Sequence, residues 1–97
     1  MSFEWDPEKD RINRAKHGVA FEDAALLWDD PSMVLSQDLY ATGEPRWIAL
    51  GRIGVTMILF VVHVYRGDEG EQHVRIISAR KATRHERRKY DKGVLQR

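Results

Sequence analysis

The spacing of apolar residues changes along the chain, and it predicts helices first and strands afterwards. Phe3-Glu4-Trp5 alternates and predicts a short strand. Asp6-Pro7-Glu8 then starts a helix, because Asp6 can cap, Pro7 suits the first helical position and Glu8 complements the dipole. Gly18 supplies the stop, giving a mostly polar helix over Pro7–His17 with Ile12 and Ala15 as its expected apolar contacts. Phe21, Ala24, Ala25 and Trp28 fall at i, i+3, i+4 and i+7 and predict a second helix over Phe21–Asp29, closed by Asp30-Pro31. Ala20 stands at its N-cap without a side-chain oxygen, and a Ser there would add about 1 kcal/mol.

The remainder of the chain has the period of strands. Met33-Val34-Leu35 opens one that ends before the turn-rich Ala41-Thr42-Gly43-Glu44-Pro45. Arg46–Ile53 is the next, reversed at Gly54-Val55 into Thr56–Arg66, which is apolar on both faces and therefore expected to be central and covered. A polar loop, Gly67–Glu71, leads to a strand over Val74–Arg80. Thr83-Arg84-His85-Glu86 is a capping box that starts a last helix over Arg84–Lys92. The order β-α-α-β-β-β-β-α predicts an α+β fold: two N-terminal helices, an antiparallel sheet and a basic C-terminal helix, all in one domain over residues 1–97.

Composition narrows the chemistry. The 97 residues include no cysteine, so disulfides and thiolate metal sites are excluded, and the cytoplasm is the default compartment. The longest apolar stretch, Val55–Val64 around MILFVV, is about half of what a membrane helix needs, and the acidic start has no signal-peptide character. The four histidines show no metal-binding spacing, no glycine-rich phosphate loop or nucleophile elbow occurs, and the adjacent carboxylates Glu22-Asp23 and Asp29-Asp30 read as helix-terminal charges. No metal or cofactor is expected.

The net charge of +1 hides an uneven distribution: residues 1–45 carry −6 and residues 46–97 carry +7. The last 23 residues hold nine cations against Glu86 and Asp91, which points to an anionic partner, with nucleic acid the first candidate. Arg80-Lys81 followed by Arg84, Arg87 and Arg88 would form a phosphate-binding stripe, Arg84 and Arg88 sharing a helix face. An unpaired Arg80 at the end of a buried strand would be costly, which favours a function for it. Hairpin arithmetic places Arg46 opposite His63, and His63 opposite Ile76, with Arg66 and Arg75 nearby and with Arg52, Arg80 and Lys81 at the other end of the sheet. Arg46 beside His63 would hold the imidazole neutral and available as a base.

The segments FEWDPEKDRINRAKHGVAFEDA, DDP, HVYRGD and RIISARKATRHERRKY, in this order and spacing, resemble the BrnT toxins of type II toxin–antitoxin systems. The resemblance spans Phe3–Tyr90, and the paired signatures W-D-x-x-K…K-H-G-V and R-I-I-S-A-R-K-A are its most specific part. It departs from the family where Ala20 replaces the usual Ser cap and at the Gly43-Glu44-Pro45 turn.

The resemblance implies a RelE-like fold and a metal-independent endoribonuclease that inhibits translation. It also implies a BrnA-type antitoxin in a heteromeric 2:2 complex, with DNA contacted only through that antitoxin. Metal-free RNA cleavage needs a base for the ribose 2′-OH, cations for the phosphorane and an acid for the leaving 5′ oxygen. On that reading Arg80 and Lys81 take the phosphate, Arg66 or Arg46 the transition-state charge, and His63 the proton, with Glu22 or Tyr90 as substitutes. Arg52, Arg75, Arg84, Arg87 and Arg88 complete the RNA-binding surface. Without the resemblance, the charge pattern fits equally a non-cleaving nucleic-acid binder or a protein-docking module.

Overall fold

The computed structural model describes residues 1–67 and 72–93; Asp68–Glu71 of the expected polar loop and the last four residues, including Arg97 of the basic tail, lie outside the described residues. The elements are β1 (Ser2–Glu4), α1 (Pro7–His17), α2 (Phe21–Ala24) running into a 3-10 segment (Ala25–Asp29), β2 (Val34–Asp38), β3 (Arg46–Ile53), β4 (Met57–Arg66), β5 (His73–Lys81) and α3 (Arg84–Lys92). The five strands form one sheet in the order β1-β5-β4-β3-β2, with β4 at its centre. The sheet is mixed: β2 to β5 pair antiparallel as a meander, whereas β1 returns along the outside of β5 in parallel.

Local chemistry accounts for the helix ends. The Asp6 carboxylate accepts the Glu8 N–H, and Gly18 closes α1 at φ 71°, a left-handed conformation that glycine adopts without steric cost. Thr83 and Glu86 exchange side-chain to backbone bonds at 3.2 and 2.9 Å, the reciprocal capping box of α3. Ala20 makes no cap bond; the Asp10 carboxylate reaches across from α1 and accepts the Phe21 N–H at 2.9 Å.

Two helix expectations need correction. Ile12 is half exposed and Ala15 is exposed, so neither anchors α1; the buried residue is Asn13. Its amide donates to the Val19 and Ala79 carbonyls and accepts the Ala79 N–H, fastening α1 to β5 by hydrogen bonds. The second helix does not run as one α-helix to Asp29. After a single turn it tightens to 3-10 winding, whose period of three lines up Phe21, Ala24 and Leu27 as the fully buried positions. Leu27 then sits over Gly51 of β3, where an added Cβ would lie 2.7 Å from its Cγ.

The helices and the sheet enclose two apolar clusters, one on each face. The larger joins Val19, Phe21, Ala24 and Leu27 to Ala49, Leu59, Val61, Val74, Ile76 and Ala79, beneath α1, α2 and the 3-10 segment. The smaller joins Tyr90 of α3 to Leu50 and Ile58, with Val34, Ile48, Phe60 and Ala82 around them. One helix of nine residues cannot cover a five-stranded face, so the second face is capped only at the end where Leu50 and Ile58 lie.

Candidate active site

Strand alternation and register decide what the uncovered half of that face presents. Asp38 pairs with Arg46, Arg75 pairs with Val64 and with Glu4, and Arg46, next to the Trp47–His63 pair, stands level with Val64. A single row therefore crosses all five strands as Asp38, Arg46, Val64, Arg75 and Glu4, with two guanidinium side chains flanking Val64, which its neighbours leave only 1% exposed. The adjoining row toward the strand ends is Arg66, His73 and Ser2. On the other side lie Ser36, Ile48, Val62 and Ser78, then Val34, Leu50, Phe60 and Arg80 at the edge of α3.

A bulge in β5 makes this assembly possible. The pairing shifts between Val62–Ser78 and His63–Ile76, leaving Ile77 as an extra residue. Arg75 and Arg80 are five residues apart and would point to opposite faces of a regular strand. The extra residue brings them to the same face, level with Val64 and Phe60 and about 13 Å apart along the strand.

The corner at β1 and β5 holds a connected polar cluster. The Glu4 carboxylate bonds to His73 Nε2 through one oxygen and to the Arg75 guanidinium through the other. Ser2 Oγ lies 2.5 Å from His73 Nδ1. The hydrogen bond from Arg75, followed by that from His73, holds the Glu4 carboxyl below the usual carboxylate range. These groups stay reachable, with the Glu4 and His73 side chains 35% and 30% exposed. Sequence reasoning missed both, because the pairing of β1 with β5 joins residues some seventy positions apart.

The remaining expected site residues separate into three places. Arg46, Arg66 and Arg75 gather on the open half-face, where Arg66 also meets Glu44 at 3.1 Å. Arg80, Lys81, Arg84, Arg87 and Arg88 lie at the α3 end, where Lys81 and Arg87 help Thr56 and Ile58 to line a shallow depression of about 250 Å³. Among the described residues Lys81, Arg84 and Arg88 have no side-chain partner and remain open to an anion. Arg87 donates to the Thr56 carbonyl at 3.4 Å, and Arg52 lies over the Tyr90 ring at 5.7 Å.

Arg80 is not the unpaired cation expected from the sequence. It makes two bonds to the Glu86 carboxylate at 2.8 and 3.0 Å and lies 4.1 Å from the centre of the Phe60 ring, so it ties α3 to the sheet. Burial pushes the Glu86 carboxyl up, but bonds from Arg80 and Thr83 outweigh it and hold the group low. Arg66 stands about 20 Å from Arg80 along β4 and β5, too far for both to touch one phosphate.

His63 is in the third place, and its expected neighbour is wrong by one residue. Trp47, not Arg46, pairs with His63, and the slip puts His63 on the helix-covered face, away from Arg46. Its ring is fully buried, edge-on to Trp28 at 4.8 Å and Tyr65 at 5.0 Å, with no partner for Nε2. Burial, not a neighbouring cation, lowers its pKa to about 4.

The two substitutes fare no better as proton carriers. Glu22 is exposed on α2, beyond the covered face. The Tyr90 hydroxyl donates to Asp30 at 2.6 Å, and burial followed by that bond raises its pKa. Burial also pushes the Asp30 carboxyl up, but bonds from Tyr90 and from the Arg52 and Ser32 N–H groups hold it below its ordinary value.

A small α+β fold with an open, cationic half-sheet is therefore the class of protein in hand. The description "Ribonuclease toxin, BrnT, of type II toxin-antitoxin system" belongs to a family whose pattern matches residues 5–86, and the chain belongs to that family. It is similar in structure to the Brucella abortus ribonuclease toxin BrnT, solved at 1.1 Å. That likeness has a TM-score of 0.61 and 28% identity, over 87% of this chain and 99% of the other. No curated protein matches the chain. No helix among the described residues is long and apolar enough to cross a membrane, and no three of their His, Asp or Glu side chains converge as a metal ion would require.

Proposed function

We propose that this member of the BrnT ribonuclease toxins cuts RNA without a metal, through the ribose 2′-OH, on the open half of the sheet. The observation that carries the reading is the row Asp38-Arg46-Val64-Arg75-Glu4. Arg46 and Arg75 stand on either side of Val64, two strand spacings or about 10 Å apart, where a phosphodiester between them can be held from both sides. Arg66 adds charge for the phosphorane once it leaves Glu44. From Arg75 to Arg80 is a span of about four stacked nucleotides at about 3.4 Å each. Only an RNA strand that continues past Arg80 and around the end of the sheet reaches Lys81, which pairs with Leu59 on the other face, and the exposed Arg84 and Arg88 of α3, whose free cations then hold its phosphates.

Cutting messenger RNA in the cytoplasm would stop translation, and a BrnA-type antitoxin in a 2:2 complex would hold the toxin inactive, contacting DNA itself when the complex does. A RelE-like arrangement is in keeping with the helices, the sheet and the open face beside a C-terminal helix. The whole chain then acts as one domain.

The test is incubation of the purified, antitoxin-free protein with total RNA and, separately, with translating ribosomes, EDTA being present throughout. Discrete fragments ending in 2′,3′-cyclic phosphate are expected. Arg46→Ala combined with Arg75→Ala should abolish them, and Lys81→Ala with Arg84→Ala should raise the RNA concentration required. Intact RNA in both settings, from a protein shown to be folded and to bind RNA, would replace this reading with that of a non-cleaving nucleic-acid binder.

A further inference from the structure

Cations alone move no proton, and none of the sequence-expected proton carriers stands on the open face: His63 is sealed under Trp28, and Tyr90 is committed to Asp30. Among the described titratable groups beside the Arg46–Arg75 row, only Glu4 and His73 form a carboxylate–imidazole pair. They are in direct contact and both partly exposed, and the Glu4 carboxylate that meets the imidazole also bonds the Arg75 guanidinium of the row. We infer that Glu4 and His73 are the base and acid of RNA cleavage, an assignment that rests on the ribonuclease reading above.

The step balances with these two groups. The Glu4 carboxylate takes the proton of the ribose 2′-OH, and the 2′ oxygen bonds to phosphorus. The bond from phosphorus to the 5′ oxygen then breaks, and imidazolium His73 turns its Nε2–H from Glu4, which now carries the 2′ proton, to that oxygen and protonates it. The products are a 2′,3′-cyclic phosphate and a 5′-hydroxyl. Arg75, bonded to Glu4, lies where it can meet the non-bridging oxygens as their charge grows. At the end Glu4 carries a proton and His73 lacks one. Because they already share a hydrogen bond, the proton returns directly and the pair is reset. Ser2, against the other ring nitrogen, positions the imidazole.

The same contacts would also make sense if they only fastened the three-residue β1 to β5, so the test needs a readout that fastening would not move. A bridging 5′-sulfur in the scissile linkage leaves without protonation and makes a general acid dispensable. The substrates are one RNA, with oxygen or sulfur at the cleaved step, presented free or on ribosomes according to what the unaltered protein cuts.

His73→Ala is expected to lose 10²-fold or more on the oxygen linkage, in the usual range for general acid catalysis, and to come within about tenfold of the unaltered protein on sulfur. Glu4→Gln, which keeps the shape of the side chain, is expected to lose about 10²-fold or more on both linkages. Glu4→Asp should recover part of that loss. Both sites require thermal midpoints within a few degrees of the unaltered protein. Equal losses of His73→Ala on the two linkages, or near-full activity of either His73→Ala or Glu4→Gln, would overturn the assignment while leaving the ribonuclease in place. No cleavage of either substrate by the unaltered protein would remove the ribonuclease reading and this pair with it.

Discussion

The two faces of the sheet are made by the same strands, yet one is closed and the other half open. On the closed face, Val19, Phe21 and Leu27 seal Ala49, Leu59, Val61 and Ile76, and even an imidazole there, that of His63, is cut off from water. The opposite face has one helix to cover it, so beyond Tyr90 the positions alternate between cations and small or apolar groups. The two histidines next to this boundary differ accordingly. His63 is surrounded by rings and driven to neutrality, whereas His73 meets a carboxylate, a hydroxyl and solvent. A residue type that can carry protons does so only where a substrate can reach it, and the coverage of the sheet decides that.

Paired truncations test this contrast most strongly. Leu27→Ala on the closed face should cost about 2–5 kcal/mol, through lost burial and the cavity left above Gly51. Arg46→Ala on the open face should cost less than about 1 kcal/mol, because its side chain is exposed. Urea unfolding of both variants measures the difference, and comparable losses would mean that the open face is not a solvent-facing surface.

Acid sharpens the comparison next. The folded-state pKa of His63, about 4, lies below its ordinary value near 6.5, so the folded protein disfavours the imidazolium. The unfolded chain binds the extra proton first. Stability is therefore complete above about pH 6.5 and falls as the pH drops toward 4, by about 3 kcal/mol in all. Asp30 and Glu86, with lowered carboxyl pKa values, lose their contribution only at lower pH, so the range from 6.5 to 4.5 lies above theirs. His63→Leu should flatten denaturation midpoints across that range. An unchanged slope would show that His63 is not the titrating group.

The smallest effect expected is at the N-terminus of α2. Ala20→Ser would add about 1 kcal/mol by accepting the N–H of Glu22 or Asp23, because Asp10 serves a different donor, the Phe21 N–H. The gain should therefore be about the same with Asp10 present or in Asp10→Ala, as read from urea midpoints. A gain seen only in Asp10→Ala would show that the two side chains compete for one N–H.

Much of the architecture was legible because it rests on local signals. The Asp6 cap, the Gly18 stop and the Thr83–Glu86 box each satisfy backbone groups within a few residues. The apolar run MILFVV within the ten-residue β4 leaves little choice but the middle of the sheet. The cations that gather at the two ends of the sheet were also legible, because strand pairing preserves position along the strands even when the register is wrong by one. What could not be read were matters of parity and of long-range pairing. A one-residue slip moved His63 to the face away from Arg46, and the α-helical period hid Leu27 until 3-10 winding turned it inward.

Sequence alone therefore determined the family, the α+β order of local elements and the supply of positive charge in the second half of the chain. The family was legible in the motifs that resemble its members, and the rest because caps, turns and periodicity act over a few residues and leave their marks in the residue types. Tertiary structure decided which of those charges share a face and which groups stand beside them. The extra residue Ile77 turns Arg75 and Arg80 to the same side, and the parallel return of β1 brings Glu4 against His73 and Arg75. Both depend on backbone hydrogen bonds between distant strands, which any sequence of similar pattern can make in more than one register.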